Sequence, residues 1–173
     1  MDSITHIALG AIVGEALLGK KLGKKAMLIG AAAQSLPDID FVTSFWLSPV
    51  EDLLSHRGFT HSILFAILAS FLLGFAAVKL IRASGMTAKE WILFFGLEIA
   101  IHLALDSLNC YGTGLFEPFS HTRISFNVLY VADPFYSLWL GVGFSALLIL
   151  KRHSPSRKNW TRLSLLLSTS KSC

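Results

Sequence analysis

Histidine and aspartate side chains recur at short spacings along this chain of 173 residues. Imidazole nitrogens and carboxylate oxygens are the donors that Zn²⁺ and related divalent ions take in proteins. An ionisable side chain within a membrane segment costs about 2.5–3.5 kcal/mol at the helix centre, so such residues mark a functional site by default. The pattern therefore predicts a divalent metal site, with Zn²⁺ as the expected ion, and its candidate ligands are His6, Asp38, Asp40, His56, His61, His102 and Asp106.

The spacing of His102 and Asp106 is the most informative of these. Residues four apart lie on one face of a helix, about 6 Å apart along its axis, so one ion can bind both side chains. Glu98 continues the same row, about 12 Å from Asp106, which suits a supporting group or a proton relay. The alternative is that these residues form a polar stripe facing the interior of a bundle and only hydrogen-bond to their neighbours.

Two carboxylates, Asp38 and Asp40, follow a helix stop at Pro37. In an extended segment, residues two apart point the same way, so both could reach one site as ligands, and either could act as a base. Ordinary turn chemistry is the alternative, because Asp is frequent in turns.

A glycine turn carries His56 and His61 around Arg57. A guanidinium suits bidentate binding of phosphate, so we expect Arg57 to hold an anionic group. Thr60 or Ser62 is expected to cap the helix that follows. An interfacial turn with amphipathic rings is the alternative.

The elements that must position these groups are apolar helices. The chain is 53% hydrophobic and 15% charged, with a mean hydropathy of +0.60, values typical of an integral membrane protein. We predict an all-α, polytopic membrane bundle of about four to five apolar helices. Residues 1–150 form the membrane-embedded domain and residues 151–173 a basic polar tail. The predicted helices are 4–19, 26–36, 62–81, 90–109 and 134–150, the last one capped by Asp133.

The distribution of positive charge predicts the topology. Cytoplasmic loops carry an excess of Lys and Arg, so the net charge of +4 indicates topology and does not indicate nucleic-acid binding. If successive helices alternate in direction, 13 of the 15 cations fall on one side and only Arg57 and Arg123 on the other. All the predicted metal ligands then lie together at the non-cytoplasmic face of a multi-pass protein. Membrane lipids are the expected partners.

Several motifs together resemble the YdjM family of bacteria, over about residues 1–150. They are Thr5-His6 with Gly10, Leu36-Pro37-Asp38-Ile39-Asp40, His56-Arg57-Gly58-x-Thr60-His61-Ser62, His102-x3-Asp106 and the Asp133-Pro134 helix start. The resemblance implies a LexA-regulated metal-dependent hydrolase associated with the bacterial inner membrane. That family looks distantly similar to zinc phospholipase C and P1 nuclease. The implied ligands are His6, Asp38, His56 or His61, His102 and Asp106.

Two functions from different classes follow from these observations. The first is a metal-dependent, zinc hydrolase that acts on a phosphate ester or another small-molecule or lipid-like substrate at the non-cytoplasmic membrane rim. Asp38, Asp40 and Arg57 are its candidate catalytic residues. The alternative is a non-enzymatic membrane protein that binds or transports a divalent cation or protons, which the deep position of Glu98 favours.

Overall fold

A computed structural model describes residues 2–46, 57–128, 130, 134–151, 154 and 156–169. Apart from an isolated bridge between Thr113 and Ile124, these residues contain no strand, so the all-α class is confirmed. The chain divides into two compact units, Met1–Gln34 with Tyr130–Cys173, and Ser35–Leu129. The helices are α1 (Ser3–Leu22), α2 (Lys24–Gln34), α3 (Ile63–Leu80), α4 (Ala88–Ser107), α5 (Pro134–Ile149) and α6 (Ser156–Thr169), with short 3-10 helices at Pro37–Phe45, Phe59–His61 and Arg82–Ser84.

The first unit begins with a tight hairpin of α1 and α2. Asp2 is the N-cap of α1 and accepts a hydrogen bond from the Thr5 amide at 2.9 Å. Gly23, with a φ of 61°, ends α1 in a conformation that only glycine adopts readily. α1 packs closely on α2 through Gly10 and Gly14. A side chain at either position would collide with the carbonyl of Gly30 or Ala26 on α2.

The first unit is completed by α5 and α6, which pack on each other and on α1. We expected only a polar tail after residue 150, yet Ser156–Thr169 is a helix. Arg157 holds it in place: its Nε donates to Glu15 Oε1 at 2.8 Å, and its Nη1 donates to the Leu147 and Leu150 carbonyls at the end of α5. A buried ion pair of this kind fixes neighbouring helices, because neither charge can be left alone.

The buried face of α6 is polar, so the sequence lacks the apolar periodicity that would predict a helix here. Thr161, Ser164 and Ser168 are buried, and each hydroxyl donates to a carbonyl of its own helix. Leu163 and Leu166 point outward instead. Small hydroxyl residues on the buried face let α6 pack closely against its neighbours.

The second unit is built around a hairpin of α3 and α4. Ser62 caps α3 by accepting a hydrogen bond from the Phe65 amide at 3.0 Å, which confirms one of the two predicted caps. Thr87 and Glu90 form a capping box at the start of α4. The two helices approach closely where Gly74 faces Ile92.

Within the described part of the chain, one helix, α3, is long and apolar enough to cross a membrane, with a mean hydropathy of 2.4. Most of its large apolar side chains are exposed in the folded chain, as a lipid-facing surface requires. Residues 137–149 of α5 form a shorter apolar helix. α2 has 11 residues, and α4 carries four charged groups, so the larger number of spans stays a prediction.

Candidate metal centre

Four donor groups meet in the second unit. α4 contributes His102 and Asp106 from successive turns of one face, as their spacing predicted. The 3-10 helix Pro37–Phe45 contributes Asp38, and the turn Phe59–His61 contributes His61. The side chains of His61, His102 and Asp106 are fully buried, whereas Asp38 is 15% exposed, so the cluster is open to solvent at Asp38.

The donor atoms are close enough to share one ion. The two imidazole Nε2 atoms lie 3.1 Å apart. His61 Nε2 lies 3.6 Å from Asp38 Oδ1 and 3.4 Å from Asp106 Oδ2. His102 Nε2 lies 3.5 Å from Asp38 Oδ1 and 3.6 Å from Asp106 Oδ2. All four donor atoms fall within 4.8 Å of one another.

These separations suit one divalent ion, and the sixth, between the Asp38 and Asp106 oxygens, is at most 4.8 Å. Bonds of about 2.0–2.2 Å to imidazole and carboxylate imply tetrahedral edges of about 3.3–3.6 Å, and the five separations given above span 3.1–3.6 Å. Two neutral imidazoles and two carboxylates also carry two negative charges, which one divalent ion neutralises. The residues present therefore fit a single Zn²⁺ or similar ion.

Asp40 lies on the opposite side of the His61 ring. Its Oδ2 is 3.5 Å from His61 Nδ1, whereas Asp38 faces the Nε2 of the same ring. We expected an extended segment in which Asp38 and Asp40 point the same way, but the segment is a 3-10 helix. Three residues per turn send side chains two apart in directions about 120° different. A carboxylate behind a metal-binding imidazole fixes its orientation and tautomer.

Burial sets the protonation state of His61. It lowers the pKa of the imidazole below its usual value, and the Asp38 and Asp40 carboxylates oppose the shift. A lowered pKa favours the neutral ring at neutral pH, and only the neutral ring can donate its lone pair to a metal ion.

Arg57 closes one side of the cluster. Its Nε lies 3.3 Å from Asp106 Oδ2, and its guanidinium carbon lies 5.9 Å from the centre of the Tyr111 ring. The backbone at Arg57 has a φ of 61°, and its amide donates to Asp40 Oδ2 at 2.8 Å. Left-handed backbone at a non-glycine residue is costly and concentrates at functional sites. The conformation aims the guanidinium at the carboxylates.

A loop after α4 supports the Arg57 turn. The Gly114 amide donates to the Arg57 carbonyl at 2.9 Å, and a Cβ at Gly114 would crowd that same oxygen. Nothing in the sequence pointed to Gly114 or Tyr111, because both act through contacts that only the folded loop creates.

The Arg57 side chain is charged, and one of its guanidinium nitrogens is available as a hydrogen-bond donor. Burial lowers the pKa of the guanidinium below its usual value, while the nearby Asp38 and Asp40 carboxylates raise it. An arginine stays protonated under these conditions. Its buried Nη1 has no hydrogen-bond partner among the described residues, which leaves a donor beside the candidate metal centre.

The four donors do not include the remaining predicted site residues. His6 is fully buried in α1 of the first unit, and His56 lies outside the described residues, as does the predicted cap Asp133. Glu98 is buried in α4. The exposed His121 pairs with Glu117 at 2.7 Å, and neither residue is one of the four donors.

The described part of the chain is thus a helical protein with one apolar helix long enough to span a bilayer and a buried His/Asp cluster that could hold a metal ion. The chain belongs to the YdjM inner membrane protein family, whose sequence pattern matches residues 1–170. That membership confirms the resemblance drawn from its motifs.

Two curated relatives match the chain over most of its length. It is 31% identical over 142 residues to the uncharacterized protein YfhP of Bacillus subtilis (strain 168), covering 78% of this chain and 42% of that protein. It is 30% identical over 112 residues to the inner membrane protein YbcI of Escherichia coli (strain K12), covering 65% of this chain and 63% of that protein. The matched region therefore spans less than two thirds of either relative. No solved structure matches.

Proposed function

We propose that this protein is a metal-dependent hydrolase that acts on a phosphate ester or lipid-like substrate at the rim of the inner membrane. The observation that carries the proposal is the set of four donor atoms from Asp38, His61, His102 and Asp106, spaced for one ion, with the Arg57 guanidinium beside them. Metal and guanidinium together suit an anionic substrate.

Each residue has a distinct role in this proposal. A bound divalent ion such as Zn²⁺ would supply Lewis-acid chemistry: it would lower the pKa of a water that reaches it as an additional ligand at the exposed Asp38 side, and it would stabilise charge at the attacked phosphorus or carbonyl. Asp38, the exposed member of the cluster, is the candidate base at the open side. Arg57 binds the anionic group of the substrate through its unsatisfied Nη1. Asp40 contacts both His61 and the Arg57 amide, which makes it a positioning residue and the second candidate base.

Exposed aromatic residues beside Asp38 support a substrate taken from the lipid interface. Phe41, Phe45 and Trp46 follow Asp38 in the same segment, and Trp46 is 77% exposed. Aromatic side chains of this kind favour the headgroup layer of a membrane. The charge distribution of the chain favours the non-cytoplasmic side for this site.

A second candidate function is binding or transport of a divalent cation or protons. Glu98 favours it, because this buried carboxylate lies two turns from Asp106 on the same helix. Rows of acidic groups in membrane helices are typical of ion and proton pathways.

One experiment separates the two candidates. The full chain, purified in mild detergent and loaded with Zn²⁺, is assayed with bis(4-nitrophenyl) phosphate and with a phospholipid, and zinc uptake is followed in liposomes. Hydrolysis should fall at least about 100-fold after chelation and return with added Zn²⁺, because the ion supplies both the activated water and the charge stabilisation. The variant Glu117→Gln serves as the control and should keep full activity. Zinc flux without hydrolysis by metal-loaded protein would contradict the hydrolase and favour the second candidate.

A further inference from the structure

A half-open cavity of about 680 Å³ lies in the first unit, between the second half of α1 and the beginning of α6. Ligand pockets usually have about 300–1,000 Å³. None of the residues that line this cavity is a donor of the candidate metal centre.

The walls of the cavity are strongly basic. They carry the cations Lys20, Arg157, Lys158 and Arg162 against one carboxylate, Glu15. Arg157 already pairs with Glu15 and donates hydrogen bonds to two carbonyls at the end of α5. The other three cations are exposed, and no ion pair joins them to a carboxylate of the described residues. The charge that remains is therefore positive and available to a ligand.

The geometry of α1 keeps this positive charge available. Gly19 lines the cavity, and a Cβ there would meet the carboxyl group of Glu15. Because Gly19 has no side chain, the Glu15 side chain can lie along α1 over Gly19 while it pairs with Arg157. Glu15 thus neutralises the buried Arg157 and leaves the rim cations uncompensated.

The first turn of α6 adds a neutral donor to the same wall. Arg157, Lys158 and Asn159 line the cavity and belong to the opening turn of this 14-residue helix. The Arg157 amide already donates to the Ser154 carbonyl at 3.2 Å, so the neutral donor here is the Asn159 side chain, and the helix dipole favours negative charge at this end. Cations, an amide side chain and a helix start together form the chemistry that recognises phosphate.

We propose that this cavity binds a phosphate group. The ligand is an anionic phospholipid headgroup or a free phosphate compound, and both present the same chemistry to the walls. Basic pockets between helices on the cytoplasmic side of membranes bind anionic headgroups. The lining cations all belong to the set that the positive-inside rule places on that side.

The test compares two double variants of the full chain in mild detergent. Lys158→Gln with Arg162→Gln removes two exposed cations from the cavity wall. Lys25→Gln with Lys151→Gln removes two exposed cations that do not line it. Equilibrium binding is measured with inorganic phosphate and, separately, with short-chain phosphatidylglycerol, using short-chain phosphatidylcholine as the uncharged comparison. Metal content and melting temperature are recorded for every protein.

The wall variant should bind phosphatidylglycerol roughly thirtyfold more weakly, since each cation near an anionic lipid contributes about 1 kcal/mol, while the control variant stays close to wild type. A parallel loss for inorganic phosphate identifies a free phosphate compound as a ligand, and a loss confined to the lipid identifies the headgroup. Equal losses in both variants, or no binding of either anion by wild type, would overturn the proposal. Unchanged metal content in the wall variant keeps this result independent of the proposed hydrolase.

Discussion

Asp106→Asn should strip the protein of its metal ion. Asn keeps the shape of the side chain but removes the negative charge, and Asp106 Oδ2 lies within 3.6 Å of both imidazole donors. Loss of a group that merely supports a ligand weakens metal binding by about 10–100-fold, so loss of a direct ligand should cost at least about 100-fold. The measurement is elemental analysis of protein purified in mild detergent, with zinc titration of the apo form.

The chain offers a matched control for this substitution. Glu117 pairs with His121 four residues away, the spacing of His102 and Asp106, but the pair lies outside the donor cluster. Glu117→Gln should leave about one divalent ion per chain, as in wild type. Equal metal content in Asp106→Asn and wild type would show that the ion binds elsewhere or that Asp106 is a packing residue only.

Gly14→Ala should cause the second large effect, a loss of stability in the α1–α2 hairpin. A single added methyl group at Gly14 collides with the carbonyl oxygen of Ala26, which belongs to rigid helix backbone. Overpacking of this kind costs about 1–3 kcal/mol, because the helices must separate to relieve it. Thermal unfolding in detergent should show a clearly lower melting temperature.

The same change at Gly141 tests whether the effect is steric. Nothing lies within 4 Å of a Cβ at that position in α5, so Gly141→Ala should be neutral or stabilise by about 0.5–1 kcal/mol through helix propensity. If Gly14→Ala and Gly141→Ala shift the melting temperature alike, the close approach of α1 and α2 is not what the glycine protects.

Sequence alone predicted the helices whose apolar character is continuous. Residues 62–81 were expected as a helix and α3 is Ile63–Leu80, while α4 begins within a few residues of the predicted start. Helical periodicity also placed His102 and Asp106 on one face, because that relation depends only on residues of the same helix.

Relations that depend on local backbone or distant contacts could not be predicted in this way. Asp38 and Asp40 face opposite nitrogens of His61 because their segment is a 3-10 helix, and no composition signal separates that from an extended strand. The helix α6 was not predicted because its buried face consists of Arg157 and hydroxyl residues, which give no apolar periodicity. Its pairing with Glu15 joins residues 142 positions apart.

The most direct test of the central claim is a zinc K-edge X-ray absorption spectrum of the metal-loaded chain in detergent. The structure predicts about four nitrogen and oxygen neighbours at about 2.0–2.2 Å, with outer scattering from two imidazoles, and loss of one imidazole signal in His102→Ala. A spectrum without imidazole scattering, or one unchanged in His102→Ala, would contradict a centre built from Asp38, His61, His102 and Asp106.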